Sequence, residues 1–198
     1  MNNKKLLIDY IPLNITSEQI NESIKNGKDL FVYGVLQRAD TENQNGRIYP
    51  KKILQREAKK FKDIYIKERR AMGELDHPDS SVVSLKNVSH SIEDLWWENN
   101  DLLGKIKVLT TPSGNILKEL IKCSISLGIS SRGLGTVKQI KESDAVEVQE
   151  DFELLTFDMV SSPSTTGAFM NLNESIDKDI QNKYIKINNL IRDILREE

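Results

Sequence analysis

Most of this chain alternates apolar and polar positions, and only a few stretches keep helical spacing. Residues 5–12 read as a short strand. Leu30 to Leu36 is β-branched and aromatic and predicts a buried strand. Ala71 to Leu75 reads as another strand, with the loop Asp76 to Ser81 behind it. Val82 to Trp97 reads as one long extended stretch. The turn Asn99-Asn100-Asp101 then leads into an alternating strand, Leu102 to Leu109, and Thr111-Pro112-Ser113-Gly114 ends that hairpin. Gly128 to Ile140 is again strand-like. Glu142-Ser143-Asp144 marks a turn, and Val146 to Val160 is mostly β. Asn45-Gly46 closes the polar run Thr41 to Gly46 as a further turn.

Helical periodicity is confined to four places. Ser17 to Lys25 is weakly helical, with Thr16 as cap and Gln19 completing a capping box. Pro50 opens a helix carrying Ile53, Leu54, Ala58, Phe61 and Ile64. Ser113 is placed to cap a helix carrying Ile116, Leu117, Leu120 and Ile121. After Met170 the composition shifts to Asn, Asp, Lys and Ile. Ile176, Ile180, Tyr184, Ile187, Ile191 and Ile194 there form an amphipathic seam. The pattern predicts roughly seven strands with two or three helices outside them, an α+β fold. Antiparallel hairpins dominate, so a mainly antiparallel β-barrel surrounded by helices is expected, plus a C-terminal amphipathic helix. The shift divides the chain into a 1–170 domain and a 171–198 tail. Whether the tail packs on its own domain, docks or oligomerises, or is removed stays open at this point.

Charge narrows the partners. The 28 basic and 30 acidic residues leave a formal charge of −2, with no long-range pull toward nucleic acid or an anionic membrane. No eighteen-residue apolar run predicts a membrane span. The N-terminal apolar run stops at Asp9, too short for a signal peptide. The single cysteine, Cys123, forbids an internal disulfide and fits a reducing compartment, so a cytoplasmic protein is expected. Two histidines, His77 and His90, exclude a three-histidine metal site and a site of two cysteines and two histidines. No metal and no cofactor are expected.

Three segments carry candidate chemistry. In Gly73-Glu74-Leu75-Asp76-His77-Pro78 a histidine ends a strand, as a general base or as a loop residue satisfied locally. Asp76 adjoins it, but strand neighbours point to opposite faces, so Asp76 is not expected to orient it. In Gly128-Ile129-Ser130-Ser131-Arg132-Gly133-Leu134-Gly135, two serines sit among glycines. The glycines either admit a substrate backbone and free N–H groups for an oxyanion, or mark a bulged strand. This run is neither a phosphate loop nor the nucleophile elbow of esterases. In Phe152 to Val160, Asp158 interrupts an apolar strand and needs a partner there, catalytic or structural. Cys123, beside Leu120 and Ile121, reads as a buried inert thiol. Trp96-Trp97 reads as a hairpin packing pair or a peptide platform.

These three segments, together with Asn45-Gly46-Arg47-Ile48-Tyr49-Pro50, Glu93-Asp94-Leu95-Trp96-Trp97 and the continuation Ser161-Ser162-Pro163-Ser164, occur in a fixed order over roughly residues 5 to 170. In that order they resemble the prohead core proteases of T4-type tailed phages. The resemblance implies a fold similar to the herpesvirus assembly proteases, a serine nucleophile and a histidine base. Carried onto this chain it assigns His77 and Ser130. Herpesvirus relatives use a second histidine, but His90 precedes the serine. The third member is therefore expected at Asp158, with Glu153 second. Ser131 and Arg132 are expected to support the site, Arg132 by placing backbone N–H groups near the oxyanion.

The resemblance further implies an endopeptidase that cleaves scaffold or core proteins and the major capsid protein after Glu, during maturation inside the viral prohead in the host cytoplasm. An aliphatic residue stands two positions before that Glu. The chain holds such sites at Glu174, Glu197 and Glu22, and self-cleavage after Glu174 would release the C-terminal helix. A homo-oligomer is expected. The competing readings are a non-enzymatic capsid or scaffold assembly module and a hydrolase of small esters.

Overall fold

The computed structural model describes residues 4–12, 29–78, 80–123, 125, 127–140 and 144–161. The expected helix at Ser17 to Lys25, the C-terminal amphipathic helix and the cleavage candidates Glu22, Glu174 and Glu197 lie outside these residues.

Ten strands and two α-helices are found among the described residues. In chain order they are β1 (Lys5–Pro12), β2 (Phe31–Arg38), β3 (Arg47–Ile48), α1 (Lys51–Phe61), β4 (Met72–Glu74), β5 (Val88–Glu98) and β6 (Asp101–Val108). Then follow α2 (Pro112–Lys122), β7 (Gly128–Gly135), β8 (Val137–Gln139), β9 (Val146–Val148) and β10 (Glu153–Val160). A π-helical stretch, Lys62–Ile66, extends α1. The strands form three sheets: β1-β7-β10, β2-β6-β5-β4 and the small β3-β9-β8.

The alternation read from the sequence is realised most cleanly in β6, where Leu102, Gly104, Ile106 and Val108 turn inward. The hairpin turn before it holds Asn99 at φ 54°. The extended stretch expected from Val82 begins only at Val88, because residues 85–87 turn first. Helix α1 starts one residue after Pro50, which is its N-cap, and buries Ile53, Leu54, Ala58 and Phe61. The cap of α2 is Thr111 rather than Ser113. Its hydroxyl accepts the Gly114 N–H, and Pro112 takes the first helical position, where a missing N–H costs nothing. Cys123 caps the other end and is exposed, not buried as expected. The helix stops there, so its apolar face never reaches that side chain.

The core joins α1 to both larger sheets. Phe61 meets Phe157 of β10 edge to face with ring centroids 5.9 Å apart. Tyr49 meets Phe152 in the same way at 5.3 Å. Such pairs add ~0.5–1.5 kcal/mol beyond area burial. Gly133 lies where any Cβ would come within 2.4 Å of the Phe152 ring.

Among the described residues the expected closed barrel is not found, and the reason lies at the seam between β4 and β10. Backbone pairing there is limited to an isolated bridge just past β4, Leu75 to Met159. Elsewhere side chains take the place of ladder bonds. Thr156 Oγ1 donates to the Met72 carbonyl at 2.7 Å. His90 Nε2, reaching past Gly73 from β5, meets the Phe157 carbonyl at 3.0 Å. The Glu74 N–H donates to Asp158 Oδ1 at 3.0 Å. A continuous ladder cannot form where its donors and acceptors are already engaged.

Candidate active site

The side-chain seam holds the candidate chemistry. Strand β7 is central in its sheet, paired with β1 and β10 along its length. Alternation puts Ser130 and Arg132 on one face and Ser131 on the other. In the register Ser130 stands directly opposite Asp158. Side chains so placed have Cβ atoms ~4.5–5.5 Å apart.

The third element arrives from β4. At Gly73 a Cβ would lie 2.1 Å from the Phe157 carbonyl and 2.2 Å from His90 Nε2, so only glycine lets β4 approach β10 this closely. After Glu74 the chain turns through Asp76 at φ 67°, a conformation short polar side chains tolerate. The Asp76 N–H donates to the Met159 carbonyl at 2.8 Å, and its Oδ1 accepts the His77 N–H at 2.9 Å. This turn delivers the His77 ring to Asp158, with Nδ1 3.2 Å from Oδ2. A carboxylate only accepts, so Nδ1 carries the hydrogen and Nε2 presents its lone pair. Asp76 itself is exposed and does not orient the ring.

Four buried atoms in this region have no hydrogen-bond partner among the described residues: Glu74 Oε2, Arg132 Nε, His77 Nε2 and Ser130 Oγ, of which the last two belong to groups able to act as base and nucleophile. No hydrogen bond joins these two to each other. Buried polar atoms are nearly always satisfied, so an unpaired imidazole nitrogen and an unpaired hydroxyl grouped with one carboxylate mark a candidate reactive locus.

Asp158 is completely buried and richly paired. Its Oδ1 accepts the Glu74 N–H and, at 3.1 Å, Arg132 Nη2. Arg132 Nε lies 2.9 Å from Oδ2, an ionic contact whose N–H is not aimed for a hydrogen bond. The guanidinium is wholly buried. It donates through Nη2 to Glu74 Oε1 at 2.8 Å and through Nη1 to the Ser80 carbonyl at 2.7 Å. Arg132 therefore grips carboxylates and the loop after His77, where the sequence suggested a role in placing oxyanion donors. Glu74 is the partner that sequence reasoning missed. The available signal was a carboxylate inside an apolar strand, the same signal that picked out Asp158.

The remaining candidates fall elsewhere. Ser131 Oγ accepts from Gln37 Nε2 at 2.9 Å on the opposite face of β7. Glu153, the second choice for the third member, is exposed and paired with Lys4 at 2.9 Å. His90 is fully buried, its Nδ1 on the Ser89 hydroxyl at 2.9 Å and its Nε2 on the Phe157 carbonyl. Burial pushes its pKa down to about 4, against opposing pulls from Asp158 and the Phe157 carbonyl. Gly133 and Gly135 were candidates for admitting substrate. They pack on Phe152 instead, and the N–H groups of β7 serve two ladders. No group of three or more His, Cys, Asp and Glu side chains fit to hold a metal occurs among the described residues.

A histidine held in one tautomer by a buried carboxylate that itself stands in register opposite a buried unpaired serine is an arrangement suited to acyl transfer. Known proteins agree. A family profile described as prohead core protein serine protease matches residues 4–179. The prohead core protein protease of Enterobacteria phage T4 is 32% identical over 171 residues, covering 85% of this chain and 79% of that protein. The solved structure of the bacteriophage T4 capsid assembly protease superposes with a TM-score of 0.71 at 28% identity. The match covers 82% of this chain and 100% of that one. On this coverage and identity, the chain belongs to the prohead core protein serine proteases, serine-type peptidases of capsid maturation.

Proposed function

We propose that Ser130 is the nucleophile of this peptidase, His77 its general base and Asp158 the group that orients and supports the histidine. The observation that carries this reading is the hydrogen bond from His77 Nδ1 to Asp158 Oδ2, with Ser130 in register opposite Asp158. His77 Nε2 takes the Ser130 proton as Oγ attacks the scissile carbonyl. The imidazolium so formed faces the Asp158 carboxylate, then returns its proton to the leaving amine. Water repeats the sequence on the acyl-enzyme.

The substrates on this reading are the scaffold or core proteins and the major capsid protein, cut after Glu inside the prohead. The same preference predicts self-cleavage after Glu174, with Glu197 and Glu22 as further sites. Cleavage at Glu174 would separate a domain of about residues 1–170 from its tail. A homo-oligomeric state belongs to the same proposal.

The test is incubation of the unmodified chain and Ser130→Ala with the phage's own scaffold protein, followed by fragment mapping by mass spectrometry. Cuts after Glu that vanish in Ser130→Ala, together with loss of the Glu174 cut, are expected. Cuts that persist would move the nucleophile away from Ser130. Processing of scaffold with Glu174 intact would remove the self-cleavage claim alone.

A further inference from the structure

Glu74 has a cost that a purely structural residue would not need to carry. Its side chain is fully buried, Oε1 accepts from Arg132 Nη2 and from the Ser84 N–H at 3.0 Å, and Oε2 has no partner among the described residues. A buried carboxylate with one bare oxygen is expensive.

Its connections lead to the reacting atoms. The Glu74 backbone N–H holds Asp158 Oδ1, and its carboxylate holds the guanidinium that contacts both oxygens of Asp158. A guanidinium is a rigid plane. Pinning its two terminal nitrogens, one on Glu74 Oε1 and one on the Ser80 carbonyl, fixes the direction from which it meets Asp158. Oε1 also holds Ser84, beyond His77, so the loop carrying the base is tied to the same carboxylate. Charge points the same way. Two carboxylates and one guanidinium leave one negative charge in excess, which is balanced when His77 takes up the Ser130 proton.

We propose that Glu74 is a positioning residue for proteolysis. Through Arg132 it orients Asp158 on His77, and it supplies the second negative charge that favours the protonated imidazole during acylation. This inference rests on the assignment of Ser130, His77 and Asp158.

The experiment uses the full chain and a fluorophosphonate, which modifies an activated serine without requiring a cleavage sequence. Saturation kinetics separate the rate of modification, kinact, from the binding constant KI. Near-ultraviolet circular dichroism and the thermal midpoint check the fold. In Glu74→Gln, kinact should fall about tenfold or more with KI changed less than about twofold, the scale of lost outer partners at other sites. A folded Glu74→Gln with unchanged kinact would overturn the inference and leave the catalytic assignment standing. If Glu74→Gln does not fold, Arg132→Lys asks the same question, since it keeps the charge and loses the fork. A fall in kinact is expected there too, and an unchanged value would overturn the inference. Absence of modification at Ser130 in the unmodified chain would remove the catalytic assignment, and this inference with it.

Discussion

Strand β7 separates two buried polar clusters that look alike in composition and differ in what they leave free. On one face, Asp158 is gathered with Arg132, Glu74 and His77 opposite Ser130. On the other, Asp9 stands opposite Ser131 and is gathered with Asn45, Arg47 and Tyr49. Both have a buried aspartate, an arginine and a serine on the central strand. In the Asp9 cluster both oxygens are spoken for: Oδ1 by Asn45 at 2.9 Å and Arg47 at 3.2 Å, Oδ2 by the Tyr49 hydroxyl. Burial, reinforced by Asp9, holds the Tyr49 hydroxyl well above its ordinary pKa, so it stays a donor. Ser131 is held by Gln37. In the Asp158 cluster the carboxylate is equally well held, but His77 Nε2 and Ser130 Oγ are not. A buried network with its donors and acceptors matched is a brace. One that leaves an imidazole nitrogen and a hydroxyl unmatched holds the two groups that the proposed chemistry would use.

The sharpest way to break this contrast is to neutralise each aspartate. Asp158→Asn should cut kcat by ~10³–10⁴, the scale known for the wrong histidine tautomer in a serine protease triad. Asp9→Asn should leave kcat within a few-fold and instead lower the urea-unfolding free energy by about 1–3 kcal/mol through an ill-matched buried group. A loss of kcat in Asp9→Asn with intact stability would erase the distinction between the two faces.

A smaller effect concerns His90, which lies behind the site rather than in it. Its folded pKa, about 4, is below the unfolded value of 6.5, so the folded state resists protonation that the unfolded chain accepts. Its contribution is therefore fully present above pH 6.5 and is lost as pH falls from there to about 4. The loss amounts to about 3 kcal/mol from the shift in pKa. Unfolding free energies measured across that window should show the slope, and His90→Gln should flatten it. The smallest effect belongs to Glu153. Its pairing with Lys4 is exposed, so Glu153→Ala should leave both kcat and stability nearly unchanged. A large loss of activity there would return the third catalytic position to Glu153.

The strands of the two larger sheets were legible because one face or both are buried and the residue pattern records it. The turn at Asn45-Gly46 was legible from turn chemistry, and Gly46 does take φ 67°. The α2 cap was misplaced because Thr111 and Ser113 are both able to cap. The choice fell to Thr111, whose hydroxyl also donates to the Val88 carbonyl on the neighbouring strand. The barrel was expected from hairpin order alone. Pattern does not reveal that β4 contributes only Met72–Glu74 to its sheet and meets β10 mainly through side chains. The two readings of the β7 glycines stayed open for a similar reason, since the aromatic ring that fills their space comes from Phe152, across the sheet.

The sequence by itself determined which residue types were available: two histidines, a double serine on a strand, and carboxylates placed inside apolar runs where an unpaired charge is too costly to stand alone. It also determined that Ser130 and Ser131 face opposite ways, because strand periodicity is local. Only the tertiary structure decided which carboxylate meets which cation. That depends on the register of β10 against β7 and on the turn at Asp76, both set by packing between segments far apart in the chain. Tertiary packing assigned Asp158 to His77, Glu74 to Arg132 and Asp9 to Tyr49. The energy of a buried charge depends on the few ångströms around it, and only the folded chain supplies those neighbours.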